Sequence, residues 1–189
     1  MNSNESSQLS TPSVIDNPIV STKEIPENHY RIDLSLIKAI SLTIECLIKE
    51  NNVNIEKIIN STKNIFHYYS TPDISIHDYI VRIAKYTEIN PSTLILSLIY
   101  IDRFCDYNNI ALTNYNIHRI FFSSILVSIK FNEDNVFKLK YYANVAGLTV
   151  HELRKLEYYF YKNINGMLYV DKVQFEKYQN YLLHYFVKD

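Results

Sequence analysis

Between Ile117 and Ile129 the chain carries apolar residues on every side of a helical wheel: Ile117, Ile120, Phe121, Phe122, Ile125, Leu126, Val127 and Ile129. A helix of this kind must be sheathed by other elements, so it belongs in the middle of a domain rather than on its surface. The run stops abruptly at Lys130-Phe131-Asn132-Glu133-Asp134, where charge begins. The rest of the chain therefore has to supply apolar faces that wrap a central rod spanning about 114–131.

Those faces are present, and all have helical spacing. Leu34, Leu36, Ile37, Ile40, Ile44, Leu47 and Ile48 follow Asp33, and a second run extends from Ile55 to Tyr69. Ser75-Ile76-His77-Asp78 forms a start box for a helix with Tyr79, Ile80, Ile83, Ala84 and Tyr86. Asn90-Pro91 marks the next start, with Asn as the cap and Pro in the first turn, where its missing N–H is not needed. That helix carries Leu94, Ile95, Leu98, Ile101 and Phe104. Thr113 or Asn114 opens the central helix. A short helix from Leu139 to Val145 is closed by Gly147, a residue suited to the left-handed turn after a helix. Thr149-Val150-His151-Glu152 is a capping box for a helix with Leu153, Leu156, Tyr159 and Phe160. Asp171 opens a last amphipathic helix with Val173, Phe175, Tyr178, Leu182 and Phe186.

No proline follows Pro91, and Gly147 and Gly166 are the only glycines. A chain so poor in both punctuators, with few hairpin signals, is expected to be all-α. Residues 1–29 hold Pro12, Pro18 and Pro26 among Ser, Thr and Asn without a sustained apolar period, which reads as a flexible tail or a docked extended arm.

The same scarcity of glycine excludes whole classes of function. Phosphate-binding glycine loops, dinucleotide fingerprints and the G-x-S-x-G elbow all need glycines the chain lacks. The six histidines are scattered, with no H-x-x-x-H pair. No catalysis, cofactor, metal or small-molecule ligand is expected. Adjacent Glu133 and Asp134 cannot face one another on a helix end and are expected in solvent. Cys46 and Cys105 fall within apolar helical patterns, so both are expected to be buried free thiols. Nineteen basic against twenty acidic residues give a net charge of -1, which argues against a dedicated nucleic-acid binder. The opening MNSNESSQLS is polar, and no apolar run is long enough to cross a bilayer. The expectation is a soluble intracellular protein of cytoplasm or nucleus.

The ordered set LIYIDRF (98–104), SILVSIKFNED (124–134), YYANVAGL (141–148) and ELRKLEYYF (152–160) resembles a cyclin box. With DYIVRIAKYTEI (78–89) ahead of it, the set is most similar to the phosphate-pathway P/U-type cyclins. The resemblance covers residues 74–187. It implies a single box of five helices around the third, with residues 30–70 as an N-terminal helical extension and 71–189 as the box plus a C-terminal helix. It further implies a regulatory subunit, not an enzyme, that binds a cyclin-dependent protein kinase and activates it by positioning the kinase C-helix. Lys130 and Glu157 match the family's charged anchors for that contact. Phe131, Tyr161 and Leu168 match apolar contacts, although Gly166 stands where a bulky aromatic often appears. Arg82 and Asp102 match an Arg–Asp pair that ties the first two box helices. The alternative is a cyclin-fold protein- or nucleic-acid-binding module without kinase activation. A basic face would mark it, and the charge balance disfavours one.

Overall fold

A computed structural model describes residues 34–51 and 55–186. The tail expected over 1–29 and the cap expected at Asp33 lie outside the described residues. Among those residues the chain is all-helical: α1 (Leu34–Asn51), α2 (Ile55–Thr62), α3 (Ile76–Thr87), α4 (Pro91–Asn108), α5 (Ile117–Asn132), α6 (Leu139–Ala146), α7 (Val150–Asn163) and α8 (Lys172–Phe186).

Helix α5 is the axis. Every residue from Ile120 to Ile129 is buried, including Ser123, Ser124 and Ser128. It packs along α4 and α7 and touches α3, while α6 bridges α3 and α7, and α8 lies on α1 and α4. Small side chains let α4 and α5 approach closely: Ser124 Oγ donates to the Ser97 carbonyl across the α4–α5 contact at 2.6 Å. An aromatic cluster seals one end. Phe104 of α4 stacks on Phe160 of α7 at 4.8 Å, and Phe66 meets both rings edge-on. Phe66 thereby anchors the 63–69 loop to the core.

The helix ends follow the local chemistry. Ser75 Oγ accepts from Asp78 N at 3.0 Å, and Thr149 and Glu152 form a reciprocal capping box. Gly147, at φ +70°, lets its own N–H and that of Leu148 turn back to the Asn144 and Ala143 carbonyls. Asp171 Oδ1 accepts from Gln174 N at the start of α8. Two boundaries differ from the periodicity. Helix α2 ends at Thr62 rather than Tyr69, because the Asn64 side chain takes the Asn60 and Ser61 carbonyls and its Oδ1 accepts from Phe66 N. Helix α5 starts at Ile117 rather than 113–114, because Asn116 bonds Thr113 N and the Ala111 carbonyl and holds the preceding turn.

Two expectations about exposure are corrected. Cys46 is exposed, lying on the outer face of α1, and Cys105 is only partly buried. Glu133 is not left in solvent. Its carboxylate accepts from Asn90 N at 3.0 Å, from Asn90 Nδ2 and from Thr93 Oγ1 at 2.5 Å. Asn90 sits at the cap position of α4 but makes no side-chain cap bond of its own. A carboxylate from 43 residues away therefore meets the free N–H end of α4, where its charge is favoured. Glu133→Ala should lower unfolding free energy by about 1–2 kcal/mol. Asp134→Ala, one exposed residue further on, should stay within about 0.5 kcal/mol. Urea titration of both variants checks this.

Candidate functional site

Because α5 is buried from Ile120 to Ile129, its last turn is where it opens to the surface. Lys130 and Phe131 are the first exposed residues after the buried run. The chain then leaves α5 at Glu133, drawn away toward α4. Helix α7 buries Leu153, Leu156 and Phe160, which leaves Glu157 beside that buried face and alongside α5.

Lys130 Nζ and Glu157 Oε1 meet in an ion pair, 27 residues apart in sequence. The lysine side chain is 42% exposed and the glutamate 17%, so the pair is half in water and its acidic end is the better seated. Next to it lies a depression of about 220 Å³ lined by Val127, Lys130, Phe131, Glu157, Tyr161 and Leu168. Phe131 is 54% and Tyr161 47% exposed, an apolar rim left open among the described residues. All five residues expected at a partner contact thus line one depression. Val127 was missed, since it reads as one more core residue of an all-apolar helix. Its place three residues before Lys130, on the same helical face, is the signal that finds it. The departure at Gly166 has a structural counterpart: a Cβ there would meet Tyr161 Oη at 3.1 Å, so the phenol occupies the room that the glycine leaves.

Arg82 and Asp102 do not pair. Arg82 Nη2 donates to the Asn144 carbonyl at 3.2 Å and ties α3 to α6. Asp102 accepts from Tyr178 Oη of α8 at 2.5 Å. The two side chains leave their helices toward opposite neighbours, and each is satisfied there. Burial pushes the Asp102 carboxyl above the ordinary carboxylate range, and the Tyr178 hydrogen bond offsets part of that rise. Asp102 borders a larger, mostly apolar cavity of about 540 Å³ between α1, α4 and α8, lined by Ile44, Leu98, Ile101 and Leu182 among others. The smaller depression joins an opposite-charge pair to an exposed apolar rim, and it is the candidate site. Among the described residues no cluster of His, Cys, Asp and Glu is placed to hold a metal, and no helix is long and apolar enough to cross a membrane.

Comparison with known proteins agrees with this architecture. A family profile described as "Cyclin" matches residues 23–168. The chain is 36% identical over 120 residues to Cyclin-P3-1 of Oryza sativa subsp. japonica, covering 64% of this chain and 51% of that protein. It is 32% identical to Cyclin-U2-1 of Arabidopsis thaliana, covering 79% of this chain and 70% of the relative. For Cyclin-U4-1 of the same plant, the identity is 31% and the coverages are 78% and 74%. The chain thus spans about half the length of the first relative and about seven tenths of the other two.

A carboxyl with a raised folded-state pKa holds its proton to higher pH in the native protein than in the unfolded chain. Its contribution to stability is full below the unfolded-state value and is lost as pH rises through the folded one. Stability should therefore carry a component that falls as pH climbs above about 4. Asp102→Asn keeps an acceptor for Tyr178 and should remove that component. Urea midpoints from acid to neutral pH check it: parallel curves for the two proteins would exclude an Asp102 origin.

Proposed function

This chain belongs to the cyclin family and resembles its P- and U-type members, and from that premise we propose that it is the regulatory subunit of a cyclin-dependent protein kinase, docking the kinase C-helix on the Lys130–Glu157 depression. The reading is supported above all by one observation: a cation, an anion and four apolar or aromatic side chains from α5, α7 and the segment after α7 converge on one depression. In the family, residues at the positions of Lys130 and Glu157 hydrogen-bond backbone groups around the kinase C-helix. Charge-assisted bonds of this kind orient a partner as well as hold it. The apolar rim supplies the desolvated contact that such bonds need to be strong.

Activation follows from differential affinity. An isolated kinase of this class holds its C-helix outward, and the glutamate on it cannot reach the lysine that grips ATP phosphates. A rigid surface that fits only the inward helix shifts the population toward the active state. Moving that equilibrium from mostly inactive to mostly active takes about 5.5 kcal/mol. An interface of roughly 1,600 Å² is of the size that can supply it.

Phosphorylation of a generic substrate by each of a panel of cyclin-dependent kinases, with and without this chain, tests the proposal. At least one kinase should be stimulated. Lys130→Glu and Glu157→Lys should each weaken its binding by about 30-fold or more, the consequence of losing about 2 kcal/mol from a desolvated charge contact. Circular dichroism should show both variants folded, because a half-exposed ion pair contributes less than about 1 kcal/mol to stability. Two folded variants that still bind and activate would refute the assignment of the site.

A further inference from the structure

Two residues of the depression, Tyr161 and Leu168, lie at the end of α7 and in the strap that follows it. Residues 164–171 form no helix or strand. Backbone carbonyls in such a segment need donors from elsewhere, and three consecutive ones find them on α4. Arg103 Nη1 donates to the Met167 carbonyl, Tyr100 Oη to the Leu168 carbonyl at 2.7 Å, and Arg103 Nη2 to the Tyr169 carbonyl at 3.0 Å. The same Nη2 donates to Gln174 Oε1 at 2.7 Å, which ties in the first turn of α8. Tyr107 adds an O–H to Met167 Sδ at 3.1 Å. Residues 100, 103 and 107 share one face of α4. Burial pushes the Tyr100 phenol up to about 12, so it remains a donor across the physiological range.

With its carbonyls drawn to α4, the strap holds Leu168 partly buried against the core, between exposed Met167 and Tyr169. Gly166, at φ +64°, makes the bend and leaves room for the Tyr161 phenol. The depression therefore has one wall built by α5 and α7 and another held from outside the site.

We propose that Arg103 and Tyr100 are positioning residues for the partner site: by gripping the carbonyls of Met167, Leu168 and Tyr169 they fix Leu168 at the rim and so set which side chain of the kinase helix the depression accepts. The inference rests on the kinase-docking reading of that depression. It adds residues that do not line the depression and that act on binding only through Leu168.

The test uses the full chain and two readouts. Amide hydrogen exchange of the free protein reads the strap, where Gly166, Met167 and Leu168 N–H groups are hydrogen-bonded to the Tyr161, Ile164 and Gly166 carbonyls. Arg103→Gln, and the milder Tyr100→Phe that keeps the ring, should raise exchange there at least tenfold while the amides of α5 and α7 stay protected. Affinity for the kinase found in the panel should fall about tenfold with Arg103→Gln in the native background. In a Leu168→Ala background the same substitution should cost less than twofold. Equal losses in both backgrounds would overturn the inference, because Arg103 would then act without Leu168. Unchanged strap exchange in both variants overturns it whatever the kinase does. If the unmutated chain binds no kinase, the functional reading fails, and the exchange result alone decides for or against the grip.

Discussion

Burial of α5 from Ile120 to Ile129 is the constraint on which the structure depends. The close α4–α5 contact, where Ser124 bonds the Ser97 carbonyl, together with α7 and α3, covers the apolar run of the helix. Each fully buried Ile or Phe on that helix contributes about 1.5–3 kcal/mol relative to exposure. This pull makes the surrounding helices adopt a cage. It also decides where the surface becomes distinctive, because a caged rod shows water only its end. Lys130 and Phe131 stand at that end.

The chain beyond the rod is as constrained as the rod itself. Glu133 leaves to cap α4, so α5 cannot extend and bury its last turn. Helix α7, started sharply by the Thr149–Glu152 box, brings Glu157 to Lys130. The resulting ion pair is too exposed to be a major source of stability. The pair lies beside an apolar rim formed by Phe131 and Tyr161. The strap after α7 completes the depression, and its carbonyls accept hydrogen bonds from Tyr100 and Arg103 of α4, which do not line the depression.

Much of this was legible in the residues, for definable reasons. The all-apolar run, the Ser75 and Thr149 boxes and the Gly147 stop are local signals, and local physics realises them. The convergence of Lys130, Phe131, Glu157, Tyr161 and Leu168 came from the family resemblance, since spacing alone does not bring α5 and α7 together. Contacts fixed by tertiary neighbours were not legible. Glu133 reads as a solvated acid until α4 is seen to start beside it. Asp102 and Arg82 carry opposite charges that invite pairing, yet α8 supplies Tyr178 to one and α6 a carbonyl to the other. Cys46 lies in an apolar pattern but on an exposed side of α1. Three carbonyls of an irregular strap leave no trace in side-chain periodicity at all.

We propose that the end of α5 and the flank of α7 form the surface that meets the kinase. Site-specific photo-crosslinking tests it most directly. A benzophenone side chain replaces Tyr161 at the depression or, in a second protein, Tyr181 of α8 beside the larger cavity. On irradiation with an activated cyclin-dependent kinase, the account predicts an adduct from position 161 that maps to the kinase C-helix, and none from 181. An adduct from 181 alone would place the partner on the opposite, α1–α8 surface and contradict the account.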